Sequence, residues 1–307
     1  LFGCGSVATD VPMTQALYEK GPAAYTNATC VPAGEFEGFA GNVSLAGLPA
    51  LASIGGSGFR GFKGRLSVTG EYPVLATISG TAFYDAGTAE SEVVFAGLPA
   101  LASIGDSGFR GFKGRLSVTG EYPVLATISG SAFYHAGTAE SEVVFAGLPA
   151  LASIGLSGFS GFKGRLSVTG EYPVLATISS SAFHDAGTPE SEVVFAGLPA
   201  LASIGLGGFR GFKGRLSVTG EYPVLATISS SAFHDAGTPE SEVVFAGLPA
   251  LASIGEGGFR GFKGRLSVTG EYPALATISF GAFQGAGTAE SEVVFAGLPA
   301  LASVGPA

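Results

Sequence analysis

Internal repetition restricts this chain more than any other feature. The string AGLPALASIG begins at Ala46 and returns at Ala96, Ala146, Ala196 and Ala246, with a last variant, AGLPALASVG, at Ala296. Five nearly identical units of 50 residues therefore occupy positions 46–295 of a chain of 307. Such a chain folds as an array, because each unit can bury its apolar face only against copies of itself. Each unit is in turn two related halves. LASIGGSGF, from Leu51 to Phe59, matches LATISGTAF, from Leu75 to Phe83, and Leu66-x-Val68-x-Gly70 matches Val93-x-Phe95-x-Gly97. The step from Leu51 to Leu75 is 24 residues and the step from Leu75 to Leu101 is 26, so two kinds of half alternate. The longer kind carries extra residues near Thr88 to Glu90.

One short strand per half gives rungs at Val43/Leu45, Leu66/Val68, Val93/Phe95 and onward to Val293/Phe295, eleven in all. At about 4.8 Å between paired strands the stack would be roughly 50 Å long. Leu51, Ile54, Phe59 and their equivalents are the expected interior. Glycines after each strand and before each Phe suit tight corners. Pro73 and Pro99 fall beyond the strands, where no ladder donor is lost. Residues 1–40 read as a capping segment and 41–307 as the solenoid.

A period in the twenties with Leu-x-x-Ile, a buried Phe and a short strand is the arithmetic of leucine-rich repeats. The residues resemble the BspA-like leucine-rich repeats of bacterial and protist surface proteins. Leu75, Ile78, Ala82 and Phe83 supply that family's L-x-x-I-x-x-x-A-F, and Tyr72-Pro73-Val74-Leu75 its proline approach. The resemblance recurs over about residues 41–305 and implies a right-handed, β-rich stack of about eleven coils on a cell-surface protein. Two departures stand out: Phe62 or Ala86 where the family often has Cys or Asn, and Gly58 in place of Ala.

Aligning the halves places Arg65 with Glu92 and Lys63 with Glu90. Stacked in register, one column would read Arg65, Glu92, Arg115, Glu142 and a second Lys63, Glu90, Lys113, Glu140. Opposite charges on neighbouring strands attract and like charges repel, so these columns are expected to hold the register.

In the cap, Asp10, Pro12 and the run MTQALYEK before Gly21-Pro22 predict a helix with Asp10 as its N-cap. Cys4 and Cys30 are the only cysteines, and an even pair in a small cap predicts one disulfide. Leu1-Phe2-Gly3-Cys4 also resembles a lipoprotein cleavage motif, although Phe at its second position is unusual. Asn27-Ala28-Thr29 and Asn42-Val43-Ser44 are N-glycosylation acceptor patterns. With the disulfide they point to an extracellular or cell-surface location. The last rung is followed only by AGLPALASVGPA, with no polar capping repeat, so that face is expected to meet further chain or a neighbouring subunit.

With 15 Lys and Arg against 24 Asp and Glu, a net charge of −9 argues against nucleic-acid binding. No apolar run reaches the ~18 residues of a membrane-spanning helix. His135, His184 and His234 are the only histidines. The last two share one repeat position, two coils apart, too far to bind one zinc. Gly56-Ser57-Gly58-Phe59-Arg60-Gly61 spells G-x-G-x-x-G without the strand-then-helix context that a nucleotide needs. No cofactor is implied. The expectation is a non-enzymatic extracellular structural protein, a self-assembling subunit of a surface filament or sheath joined through the solenoid ends. The alternative is a monomeric adhesion module that binds a protein or glycan, with the variable positions Gly56, Asp106, Leu156, Leu206 and Glu256 exposed.

Overall fold

The computed structural model describes Cys4 and residues 12–306, and its fold is a parallel β-solenoid of about eleven turns with little helix. The chain divides into two compact units. One runs to Phe145 and includes Phe162–Arg165; the other takes Ala146–Gly161 and the chain from Leu166.

In the first unit the long strands are Val43–Ala46, Leu66–Thr69, Glu92–Ala96, Arg115–Thr119 and Glu142–Ala146. They form one parallel sheet in chain order. In the second unit the long strands run from Arg165–Thr169, all but its first residue, through Glu192–Ala196, Arg215–Thr219, Glu242–Ala246 and Arg265–Thr269 to Glu292–Val293. Side chains alternate as a one-sided strand requires: Leu66, Val68, Val93 and Phe95 are buried, whereas Ala46 and Ala96 are exposed. A second parallel ladder, absent from the sequence expectation, is made of two-residue strands. Cys30–Val31, Ser53–Ile54, Thr77–Ile78, Ser103–Ile104 and Thr127–Ile128 build it in the first unit. Its first rung lies at Cys30, inside the segment read as a cap.

The cap helix is shorter than expected. It spans Gln15–Glu19 and is capped by Thr14, whose hydroxyl accepts from the Leu17 amide at 3.2 Å. Asp10, the expected cap, lies outside the described residues. Gly21, at φ 95°, stops this helix, and Pro22 opens a second short one, Pro22–Tyr25. Tyr18 stacks on Tyr25 at 5.5 Å, and its hydroxyl accepts from the Ser44 amide at 3.0 Å, which ties the cap to the first long strand.

The two sheets enclose files of parallel phenyl rings. In the first unit Phe36, Phe59, Phe83, Phe109 and Phe133 follow one another at centroid spacings of 5.1, 5.3, 4.9 and 5.4 Å, with planes within 9°. In the second, Phe159, Phe183, Phe209, Phe233, Phe259 and Phe283 repeat this at 5.0–5.4 Å. Strand spacing imposes this distance. Edge contacts offset the poor face-to-face quadrupole interaction, as where Phe112 meets Phe83 at 83°. The backbone approaches as closely as the rings do. A Cβ on Gly114 would lie 2.2 Å from the Ser91 carbonyl oxygen, so only glycine fits that corner.

At the corner after each shorter-half strand, the tyrosine of Glu-Tyr-Pro turns inward. Tyr72, Tyr122, Tyr222 and Tyr272 are buried and donate to the carbonyls of Leu45, Phe95, Phe195 and Phe245 at 2.8, 3.1, 3.0 and 2.8 Å. Burial holds all these phenols in the neutral form: Tyr272 is pushed up to about 12, and Tyr72, Tyr122, Tyr172 and Tyr222 go further. An unfolded tyrosine titrates near pH ~10. The stability these groups contribute is therefore complete below that pH and is lost as pH rises through the folded values. The melting temperature should stay flat to about pH 9 and fall above about pH 10, with tyrosinate absorbance appearing together with loss of β-sheet circular dichroism. Tyr122→Phe, which strands the Phe95 carbonyl, should cost about 1–2 kcal/mol in chemical denaturation at neutral pH.

Candidate functional site

Comparison of the five units with one another locates the surface that differs. Across 50 positions only nine vary: those of residues 56, 57, 60, 74, 80, 81, 84, 85 and 89. Seven of the nine lie in the two turns that follow the short strands Ser53–Ile54 and Thr77–Ile78. Backbone bonds stack these turns. In the first unit, amides of Ser57, Thr81 and Ser107 donate to the carbonyls of Gly80, Asp106 and Gly130 at 3.2, 2.8 and 2.8 Å. In the second, amides of Ser181, Ser231 and Gly257 donate to the carbonyls of Leu206, Glu256 and Phe280 at 2.8, 2.8 and 3.0 Å. Each unit thus presents a rigid column of turns whose side chains change from step to step.

In the first unit this column alternates cation and aromatic. The Arg110 guanidinium lies 5.3 Å from the Tyr84 ring centre and 4.9 Å from that of Tyr134, and Arg60 is 5.5 Å from Tyr84. Such contacts hold the long arginines in place at about 0.5–1 kcal/mol each. In the second unit the tyrosine positions become His184, His234 and Gln284. Each histidine Nε2 lies beside the next residue's carboxylate, 3.4 Å for Asp185 and 3.3 Å for Asp235. A cavity of about 250 Å³ opens here, lined by His234, Glu256, Arg260, Phe280 and Gln284 among others. The cap holds a groove of about 540 Å³ beside Tyr18, Tyr25 and Phe39. Grooves of about 370 and 470 Å³ repeat at the Tyr172-Pro173 and Tyr222-Pro223 corners. Among the described residues no three His, Cys, Asp or Glu side chains converge as a metal site.

Cys4 and Cys30 are joined in a disulfide, which fastens the start of the chain to the first short rung. The lipoprotein-like residues Leu1 to Gly3 lie outside the described residues. Asn27 and Asn42 are both exposed. The Asn42 side-chain oxygen accepts from the Arg65 amide at 2.9 Å, the place taken one double coil later by the Ser91 carbonyl under Arg115. No helix among the described residues is long and apolar enough to cross a membrane; that and the disulfide are compatible with a secreted protein.

The charge columns form differently from the in-register expectation. Glu92 stands directly opposite Arg115, and the two form an ion pair at 2.5 Å, as Glu192 and Arg215 do at 2.7 Å. Glu242 pairs with Arg265 likewise. At the alternate step the register shifts by two, so that Glu92 faces Ser67 and Arg65 reaches the Glu90 carbonyl at 3.2 Å instead. Glu142 likewise faces Ser117, whose hydroxyl donates to it at 3.3 Å. Lys63 and Lys113 form no ion pair with Glu90 or Glu140 among the described residues; the Lys113 amide binds the Ala86 carbonyl, upstream of the longer half's extra residues. Glu90 is held below the usual carboxylate range by the Thr88 hydroxyl first and also by Arg65.

The cause of the shift is a serine that the sequence did not single out. Ser91 is buried, and its hydroxyl oxygen accepts from both the Leu66 and Thr88 amides at 2.9 Å; Ser141 does the same for Leu116 and Thr138. It closes the extra turn and occupies the rung that strand residues would otherwise fill. The invariant Ser-Glu pair before each longer strand was its only sequence signal.

No protein-family model, curated protein or solved structure matches this chain.

Ser141→Ala leaves the buried Leu116 amide and the half-buried Thr138 amide without this acceptor and should cost about 2–4 kcal/mol in urea denaturation. Glu92→Gln, which removes a half-exposed ion pair, should cost only a few tenths of a kcal/mol. Equal losses would mean that charge, not the serine, sets the register.

Proposed function

We propose that the chain is a non-enzymatic solenoid of the cell exterior, akin to the BspA-like repeats, that acts as an adhesion module through its stacked turns. One observation carries this reading: seven of the nine variable positions fall in the turn column, although other positions are equally open and only those of residues 74 and 89 change among them. Lys63, Glu71 and Glu90 and their equivalents are exposed yet identical in all five units. Random drift would have scattered changes over every exposed position. Change concentrated in one column fits a surface where each step makes its own contact, and several weak contacts in a row raise avidity.

A second reading, a self-assembling subunit of a surface filament or sheath, draws on a different surface. Val74, Val124, Val174 and Val224 are each 44–45% exposed beside the corner prolines, an apolar feature repeated unchanged in four units. Apolar side chains repeated at one position suit lateral packing of identical copies.

The test is binding of purified protein to arrayed glycans and extracellular matrix proteins, beside a variant in which Arg60, Tyr84, Arg110 and Tyr134 are all serine, the residue that copy three carries as Ser160. The adhesion reading expects at least one ligand whose binding the variant weakens tenfold or more with circular dichroism unchanged. Equal binding by the variant, or ordered filaments in the electron microscope that a Val74/Val124/Val174/Val224→Ser variant no longer forms, would favour the second reading.

A further inference from the structure

The last full unit differs from the others at one place on the turn column, and the differences converge. Residues found only in it are Glu256, Ala274, Phe280, Gly281, Gln284 and Gly285. Four of those six line the 250 Å³ cavity, joined by Arg260 from the same turn as Glu256 and by His234 from the turn before it.

Two observations mark this as an opened site rather than a loosened turn. The first is space. In the first unit the equivalent place is filled by Ser57 and Thr81, whose hydroxyls meet at 3.0 Å. In the last unit both positions are glycine, Gly257 at φ 57° and Gly281 at φ 58°, so the backbone path is kept and the two side chains are gone. The second is the new wall. Phe280 replaces Gly80, Gly130, Ser180 and Ser230, is 50% exposed, and stacks on no other aromatic ring among the described residues. The tyrosines of the first unit are already covered by arginine, whereas the Phe280 face is open.

The chemistry of the wall narrows the ligand. Glu256 and Arg260 bring one charge of each sign, so neither an anion nor a cation gains net attraction. A carboxylate accepts from hydroxyls, a guanidinium donates to them, and Gln284, His234 and Ser231 can each donate or accept. The electron-rich phenyl face attracts the partly positive C–H edge of a saturated ring. An aromatic platform with hydrogen-bonding groups of both polarities around it suits a polyol ring. We propose that this cavity binds a pyranose unit of a neutral glycan, with Phe280 as the stacking platform and Glu256 and Arg260 holding its hydroxyls. This rests on the adhesion reading and names the ligand class for one step of the column.

The experiment is isothermal titration of the full chain with neutral tetrasaccharides of glucose, galactose, mannose and N-acetylglucosamine, and with a sulfated tetrasaccharide. It is repeated with Phe280→Ser and Glu256→Leu, residues that other copies carry at those positions and that therefore keep the turn intact. The expected result is saturable binding of at least one neutral sugar, weakened at least tenfold by each variant, with no preference for the sulfated form. Retained affinity in both variants, binding of the sulfated sugar alone, or no saturation by any neutral sugar would overturn the site. The Arg60/Tyr84/Arg110/Tyr134→Ser variant separates the two ideas. Glycan binding lost there but kept in Phe280→Ser removes this cavity and leaves the adhesion role standing.

Discussion

Everything in this molecule follows from bringing one coil of backbone to within about 5 Å of the next. Phenyl centroids at 4.9–5.4 Å record that distance in the core, and the glycine corners record it at the edge, where a Cβ on Gly114 would strike the Ser91 carbonyl. At such spacing the strand amides and many of the turn amides find their partners on neighbouring coils, so a coil alone would leave both edges unpaired. The same constraint explains the composition. Fifty glycines and 13% charged residues suit a chain that has many tight corners and little surface per residue to solvate.

Two kinds of coil meet this demand in complementary ways. The shorter kind provides the tyrosine that crosses to the neighbouring carbonyl, as Tyr122 does to Phe95. The longer kind provides the serine that accepts two amides, as Ser141 does from Leu116 and Thr138. Each device reaches from one kind to the other. The pairs Glu92–Arg115, Glu192–Arg215 and Glu242–Arg265 sit on top of this frame, and their exposure keeps their contribution small. Because the body is held by invariant residues, the turns are free to differ, and that separation of frame from display is what the functional reading uses.

Much of the frame is legible in the residues themselves. The alternating 24 and 26 step, the rungs at Leu66/Val68 and Val93/Phe95 and the buried Phe59 all reappear as strands and core. The second ladder was not legible, because two-residue strands such as Ser53–Ile54 carry no alternation to read. The register shift was hidden for another reason. Matching Leu66 to Val93 by similarity assumes that equivalent residues lie level, whereas the Ser91 hydroxyl takes one rung of the ladder and displaces the strand by two. The cap helix begins at Thr14 because its hydroxyl reaches the Leu17 amide, a bond that composition alone does not distinguish from other polar residues upstream. The cavity at Phe280 needed the three-dimensional stacking of positions 231, 256 and 280, which lie on three successive turns.

A shorter and a longer coil are completed only by each other, and a pair of deletions puts this to the test. Removing residues 96–145 takes out one whole unit and preserves alternation; removing residues 101–124 takes out a single shorter coil. The second deletion sets two longer coils side by side, leaves the Ser141 hydroxyl without the Leu116 amide and brings Glu92 against Glu142. Denaturation should show the first protein unfolding cooperatively with a modestly lower midpoint, and the second losing several kcal/mol although it is the smaller excision. Equal stability per remaining coil in the two proteins would contradict the account.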